Sequence, residues 1–198
     1  MIRIYLSNKS FLKNVGYINS IKKGKPLDAN NDPIPWMNYN VISFFKQKLN
    51  RQIDMFEFGS GYSSMFFSKY VNTLTSLEYD NNWFNFIKSQ LPENADLHLC
   101  HLDKGLEYSR FLLTLNKKYN LILIDGADRV NCIKSAIKSL TTNGVIVLDD
   151  SQRIEYNEGI EFLEINGFKN IKFEGIKPGS IELYETTIFY KTKNCLEI

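Results

Sequence analysis

Gly59, Glu78, Asp103, Asp125, Asp149 and Asp150 all sit where short apolar runs stop. A carboxylate at the end of a buried run can accept a hydroxyl proton, act as a base, or help hold a cation. The densest group starts at Ile53-Asp54-Met55-Phe56-Glu57-Phe58-Gly59-Ser60-Gly61 and closes at Leu77-Glu78-Tyr79-Asp80. Glycines let a backbone turn tightly and come close to a ligand. Glu78 follows Gly59 by 19 positions, near the roughly 20 that bring a carboxylate to a ribose diol in a strand, glycine turn, helix, strand unit. These residues therefore describe a nucleoside pocket.

Two residues select among nucleosides. A dinucleotide fingerprint carries a third glycine for close helix packing beside the pyrophosphate; here that position is Ser64. Glu57, two residues before Gly59, would repel a pyrophosphate and suit a zwitterion. No Tyr-x-x-x-Lys pair stands where an oxidoreductase of this layout would carry one. An NAD-type oxidoreductase and a degenerate, purely binding module remain as alternatives at this point.

The elements that must position these residues alternate. An amphipathic helix is expected over Met37–Leu49, a strand over 53–58, a helix over 62–71 and a strand over 73–78. Asn81 is the expected cap of a helix carrying Trp83, Phe84 and Ile87. A strand is expected from Ala95 to Leu102, and a helix from Leu106 to Leu115. The most apolar strand, Tyr119–Ile124, precedes a helix over Asn131–Leu140 that Thr141-Thr142-Asn143-Gly144 should end. Val145–Leu148, a helix over Glu155–Ile165, and two short closing strands (Ile171–Phe173 and Thr187–Tyr190) complete the order, the strands joined through a loop from Gly175 to Glu185. Such alternation implies an α/β fold: a Rossmann-like three-layer sandwich with a seven-stranded, mostly parallel sheet. The ligand belongs at the carboxyl ends of the strands.

Residues 1–36 read as an N-terminal extension or arm, and 37–198 as one globular domain. The arm holds a possible strand (Ile2–Leu6) and a helix from Ser10 to Ile21. Arg3, Lys9, Lys13, Lys22, Lys23 and Lys25 precede the first acid, Asp28. They form either a solvated basic face or a contact for an anionic substrate or partner. Asp32-Pro33-Ile34-Pro35-Trp36 must be extended or turned, and Trp36 is either a core anchor or a cover for a bound ligand.

Acid-x-Gly-x-Gly resembles the first motif of class I S-adenosylmethionine-dependent methyltransferases. Pro35-Trp36, Glu57-x-Gly59-x-Gly61-x-Ser63, Asp125-Gly126-x-x-Arg129-x-x-Cys132 and Asp150-Ser151-x-Arg153-x-x-Tyr156 together look like a group of small bacterial members of that class, many of uncertain substrate. The resemblance covers roughly residues 33–191. The closing pair of strands resembles that of the methyltransferase sheet, which implies a last strand inserted antiparallel. The resemblance also implies S-adenosylmethionine as cofactor, with Glu57, Gly59, Ser60, Gly61, Ser63, Glu78, Tyr79, Asp103 and Asp125 around it. Glu57 would help hold the ammonium, and Asp103 would lie near the adenine. Asp149, Asp150 and Arg129 are implied on the catalytic side. Asp125, Asp149 and Asp150 match the magnesium ligands of metal-dependent O-methyltransferases. Arg129 is an alternative to that metal as the neutralising charge. The implied activity is O-methylation of a small hydroxylated or carboxylated molecule, a sugar or secondary metabolite, with Arg129 and Arg153 orienting any anionic group.

Composition sets the remaining bounds. Apolar content of 43% with 23% charged residues describes a soluble globular chain. A net charge of +2 is too small to argue for nucleic acid or a membrane surface. Asp125-Gly126 also differs from the Pro-Pro-aromatic pattern of base-nitrogen methylases. The expected partner is a small molecule, with no nucleic acid or membrane partner; oligomeric state is left open. His98, Cys100 and His101 lack a fourth neighbour for zinc. Three cysteines without metal spacing fit a reduced, cytoplasmic setting.

Overall fold

The computed structural model describes residue 7 and residues 9–102 and 105–198. The expected strand Ile2–Leu6 and the expected adenine neighbour Asp103 lie outside them. Within the described residues, seven strands form one sheet: β1 (Asp54–Phe58), β2 (Thr73–Glu78), β3 (Ala95–Leu99), β4 (Tyr119–Ile124), β5 (Leu140–Asp149), β6 (Lys169–Ile176) and β7 (Leu183–Tyr190). Their spatial order is β3-β2-β1-β4-β5-β7-β6. β1 to β5 pair in parallel, and β7 runs antiparallel to both β5 and β6. The expected architecture is observed.

Strand periodicity explains the layers. Successive side chains of a strand face opposite sides. Met55, Leu121, Leu123, Val145 and Val147 share one core with helices α3 (Tyr39–Lys48) and α4 (Tyr62–Phe67). Phe56, Phe58, Ile122, Ile124, Ile146 and Leu148 share the other, with α6 (Glu107–Thr114), α7 (Arg129–Ala136) and α8 (Asn157–Ile165). Burial on both faces is why β4 and β5 read as unbroken apolar runs. Glu57 and Asp149 fall in the phase of Met55 and Val147, so both acids face the α3 layer. Helices α1 (Phe11–Asn14) and α2 (Tyr17–Lys23) add to that layer, with Tyr17 and Ile34 in the same core.

The structure moves several boundaries. The helix expected over Ser10–Ile21 breaks at Gly16, whose φ is +86°. A Cβ there would come within 2.2 Å of the Asp28 carbonyl carbon, so the chain turns where only glycine fits. Asp80, not Asn81, caps α5 (Asn81–Lys88): its carboxylate accepts the Trp83 amide at 2.7 Å. Thr141–Gly144 does not end a helix. Those residues belong to β5, which starts at Leu140, and the register between β4 and β5 shifts there. β3 stops at Leu99 rather than Leu102. β6 and β7 are longer than expected, which shortens their connection to residues 177–182.

Candidate active site

Strand order reverses between β1 and β4, and a crevice forms at their carboxyl ends, as open α/β sheets require. It is a cleft of about 450 Å³, within the range of small-molecule sites. Glu57, Gly59, Ser60, Ser63, Glu78, Tyr79, Asp125 and Arg129 all line it, so most of the cofactor residues expected from sequence converge. Gly61 stands beside the cleft as the N-cap of α4, packed against Trp83.

The floor is a crossing of two backbones. Gly59 has φ +98°, and a Cβ on it would lie 3.2 Å from the Gly126 nitrogen. A Cβ on Gly126 would come within 2.1 Å of the Tyr108 hydroxyl and 2.9 Å of the Gly59 nitrogen. Both glycines are therefore required by close approach. The Tyr108 hydroxyl below them is buried without a hydrogen-bond partner, and burial drives its pKa far up. The amides of Ala127 and Gly59 lie near enough to oppose that shift. Neither forms a hydrogen bond with it, and the Gly59 amide is given to Leu77 at 2.8 Å.

Glu78 keeps its expected place at the β2 tip. One oxygen accepts the Tyr79 and Asp80 amides (2.8 and 2.9 Å), and the other accepts the Ser60 hydroxyl at 2.8 Å. Its carboxylate is thus fixed in the cleft, with one acceptor site of the Ser60-bound oxygen remaining for a ribose hydroxyl. Trp83, which sequence reasoning assigned only to a helix, donates from its indole to the Ser60 carbonyl at 2.9 Å and lines the cleft.

Glu57 lines the cleft as expected and is also held by the protein's own hydroxyls. It is 1% exposed. Its carboxylate accepts hydroxyl hydrogens from Ser63, from Ser64 (2.6 Å) and from Ser76 (2.8 Å). Ser64 in turn accepts the Gly61 amide at 3.0 Å. Burial pushes the Glu57 carboxyl up to about 6, against the three hydroxyls. Through Ser64, which stands where a dinucleotide fingerprint has its third glycine, this network reaches the Gly61 amide and holds the glycine turn in shape.

A second pocket of about 280 Å³ adjoins the first, lined by Trp36, Asp125, Asp149, Asp150, Lys177, Ser180 and Tyr184. Asp125 lines both. Its side chain is 27% exposed, yet burial, reinforced by Asp149, raises its carboxyl to about 7, with Arg129 opposing. Arg129 meets one Asp125 oxygen at 3.0 Å. The other oxygen has no protein donor among the described contacts.

Asp149 and Asp150, by contrast, are fully engaged. Asp149 accepts Thr186 at 2.5 Å on one oxygen and Lys177 at 2.7 Å on the other. Asp150 accepts Lys177 on one oxygen and Arg153 at 3.0 Å on the other. Burial works against the Lys177 charge, but Asp149 and Asp150 outweigh it and raise its pKa. Magnesium held by Asp125, Asp149 and Asp150 does not fit this arrangement. Thr186, Lys177 and Arg153 take all four oxygens of Asp149 and Asp150, Arg129 takes one of Asp125, and no group of three His, Cys, Asp or Glu among the described residues is placed to hold a metal. Arg129 is also committed. It donates to the carbonyls of Gly126, Asp125 and Asp149 and lies over the Tyr156 ring at 5.2 Å. It ties the β4 and β5 tips together and has no free fork for an anion.

Sequence reasoning missed Lys177. It sits in a hairpin with only Pro178-Gly179 as a turn signal, and its partners are 27 and 28 residues away. His98 lies 3.0 Å from Asp96 and His101 meets the Tyr79 carbonyl at 3.1 Å; all three cysteines are free thiols. No helix among the described residues is long and apolar enough to cross a membrane.

No protein-family model matches the chain, and no curated protein matches it in sequence. Solved structures do match in shape. A precorrin-6y C5,15-methyltransferase from Geobacter metallireducens has a TM-score of 0.56 at 19% identity, over 76% of this chain and 86% of that one. A Klebsiella pneumoniae protein described as a candidate O-methyltransferase has 0.59 at 16%, over 93% and 91%. Fibrillarin from Aeropyrum pernix, solved with natively bound S-adenosyl-L-methionine, has 0.55 at 11%, over 75% and 74%. At these identities the likeness is one of fold: the chain has the class I fold of S-adenosylmethionine-dependent methyltransferases.

Proposed function

We propose that this protein is an S-adenosylmethionine-dependent methyltransferase that methylates a hydroxyl group of a small molecule, a sugar or secondary metabolite. The observation that carries the reading is the pairing of two cavities across one residue, with Asp125 on the wall of both. The larger cleft offers what the cofactor needs: a glycine turn for close approach, and the Glu78 carboxylate for a ribose hydroxyl. Bound there, S-adenosylmethionine would supply a methyl group on a positively charged sulfur for displacement by the acceptor. The smaller pocket would hold that acceptor. A hydroxyl must lose its proton as it attacks, and the open oxygen of Asp125 is the base available at the junction. A carboxyl near 7 matches that task better than an ordinary aspartate.

Cation pairing favours a hydroxylated acceptor over a carboxylated one. Arg129 and Arg153 are paired with the protein's own acids, and the Lys177 charge is neutralised by Asp149 and Asp150, which leaves it a hydrogen-bond donor but no unbalanced charge for a carboxylate. Calorimetry with S-adenosylhomocysteine, S-adenosylmethionine and NAD tests the cofactor. Binding of the first two without NAD is expected; NAD alone would replace this reading with an oxidoreductase, and no binding at all would favour a binding module. In a screen of hydroxyl, carboxyl and amine acceptors, S-adenosylhomocysteine should appear with hydroxyls. Asp125→Asn should then lower turnover by about 10²–10⁴-fold.

A further inference from the structure

We propose that Lys177 is a resident cation of the acceptor pocket: it bridges Asp149 and Asp150, two of the three acids that the family resemblance implies as magnesium ligands, and it closes the site to divalent ions. This rests on the methyltransferase reading only for what the pocket accepts. The geometry of the acid pair stands without it.

Lys177 is 6% exposed, and its ammonium bridges the two strand-tip acids. Hard divalent cations need several oxygen donors at once. Here each oxygen of Asp149 and Asp150 already accepts a hydrogen bond or a charged donor. Charge on the acid pair is met as well, with Lys177 on both Asp149 and Asp150 and Arg153 on Asp150. An added divalent ion would have to displace a buried ammonium and leave it without a partner, which is costly.

The lysine is also held from behind. It directly follows the last residue of β6, and its ammonium lies 4.7 Å from the centre of the Tyr184 ring. The next residue, Pro178, accepts the Trp36 indole at 3.0 Å. One turn back in the hairpin, Asn40 donates to the Glu174 carbonyl at 2.7 Å. The segment Pro35-Trp36 and the start of α3 therefore clamp the hairpin that delivers the charge. An ammonium has three donors. Two reach Asp149 and Asp150, leaving one for the oxygen of an acceptor in the pocket that Lys177 lines. In that role it would steady the oxyanion that forms as Asp125 takes the proton, the part a metal plays elsewhere.

Manganese binding, followed by the loss of the free-ion electron paramagnetic resonance signal, tests this with no acceptor or cofactor needed. The wild-type protein should leave Mn²⁺ free. Lys177→Met, which keeps much of the volume but removes the charge, should take up Mn²⁺ roughly tenfold or more tightly, because the ligand charge is then unbalanced. Lys177→Gln is the second variant should the first not fold, with a cooperative thermal melt as the criterion. Stoichiometric Mn²⁺ uptake by the wild type, abolished by Asp149→Asn, would overturn the proposal. So would a folded Lys177 variant that binds no more Mn²⁺ than the wild type. Calorimetry with S-adenosylhomocysteine on the same samples reports separately on the cofactor reading, so the two can fail independently.

Discussion

Glu57 lines the cleft and is at the same time part of the protein's own hydrogen-bond network. Ser63, Ser64 and Ser76 surround its carboxylate, and the residue is almost wholly buried. Hydroxyl donors stabilise the anion, but burial wins and the carboxyl rises to about 6. The sign for stability follows. A folded-state pKa above the unfolded value of about 4.3 means that the folded protein holds the proton longer. Stability from this group is therefore full below about pH 4 and declines as pH rises through about 6, by about 2 kcal/mol. In Glu57→Gln the part of the slope due to this residue should vanish, while the part due to Asp125, which is also raised, should remain. Urea midpoints between pH 4.5 and 6.5 in the wild type and the variant would check it; a slope in the variant as steep as the wild type's would refute the assignment. Asp125 is the contrasting residue, raised for similar reasons but left with an oxygen open to both cavities.

At the scale of elements, the tips of β1 and β4 carry the cleft, and their crossing depends on two glycines. Adding a methyl group at Gly126 would press on the Tyr108 hydroxyl, the Gly59 nitrogen and the Phe58 carbonyl carbon, all at 3.0 Å or less. Gly126→Ala should cost about 1–3 kcal/mol by overpacking and weaken cofactor binding by shifting the Gly59 turn. Tyr108→Phe removes one of the three contacts, and the hydroxyl it deletes has no hydrogen bond to lose. The double variant should recover part of the lost stability, and the single Tyr108→Phe should be near neutral. Additive effects in a denaturation cycle would show that the hydroxyl is not the obstacle. These elements were readable because their signals are local. β4 and β5 are apolar runs ending in acids, and the glycine turn is a spacing. Gly16 was hidden because its constraint comes from the backbone of Leu27 and Asp28, in a different segment. The start of β5 was hidden because Thr-Thr-Asn-Gly has turn chemistry that sheet pairing overrides.

For the molecule as a whole, the sheet is two halves meeting at β1 and β4, and the proposed cofactor would touch both through Gly59, Glu78 and Asp125. The mostly parallel sheet was legible from alternation and its antiparallel last strand from the family resemblance, whereas the pairing of Lys177 with Asp149 and Asp150 was not, since it forms only once β7 folds back between β5 and β6. A ligand that binds only this assembled crevice must stabilise the whole fold by mass action. At about 100 times its dissociation constant the gain is about 2.7 kcal/mol. For a chain of this length that corresponds to a rise in melting temperature of roughly 5–10 °C. S-adenosylhomocysteine should produce such a rise and NAD should not. Glu78→Ala removes the group expected on the ribose, a loss of about 1–3 kcal/mol in affinity. At the same ligand concentration its rise should fall to between about two-thirds and about one-tenth of the wild type's. Because Glu78 is also held by Ser60 and two amides, the melting point of the free variant has to be measured alongside. The informative quantity is the ligand-induced difference, not either temperature alone. An undiminished difference in Glu78→Ala would move the ribose away from β2 while leaving the cleft as the binding site. No difference in the wild type would remove the cofactor from the cleft altogether.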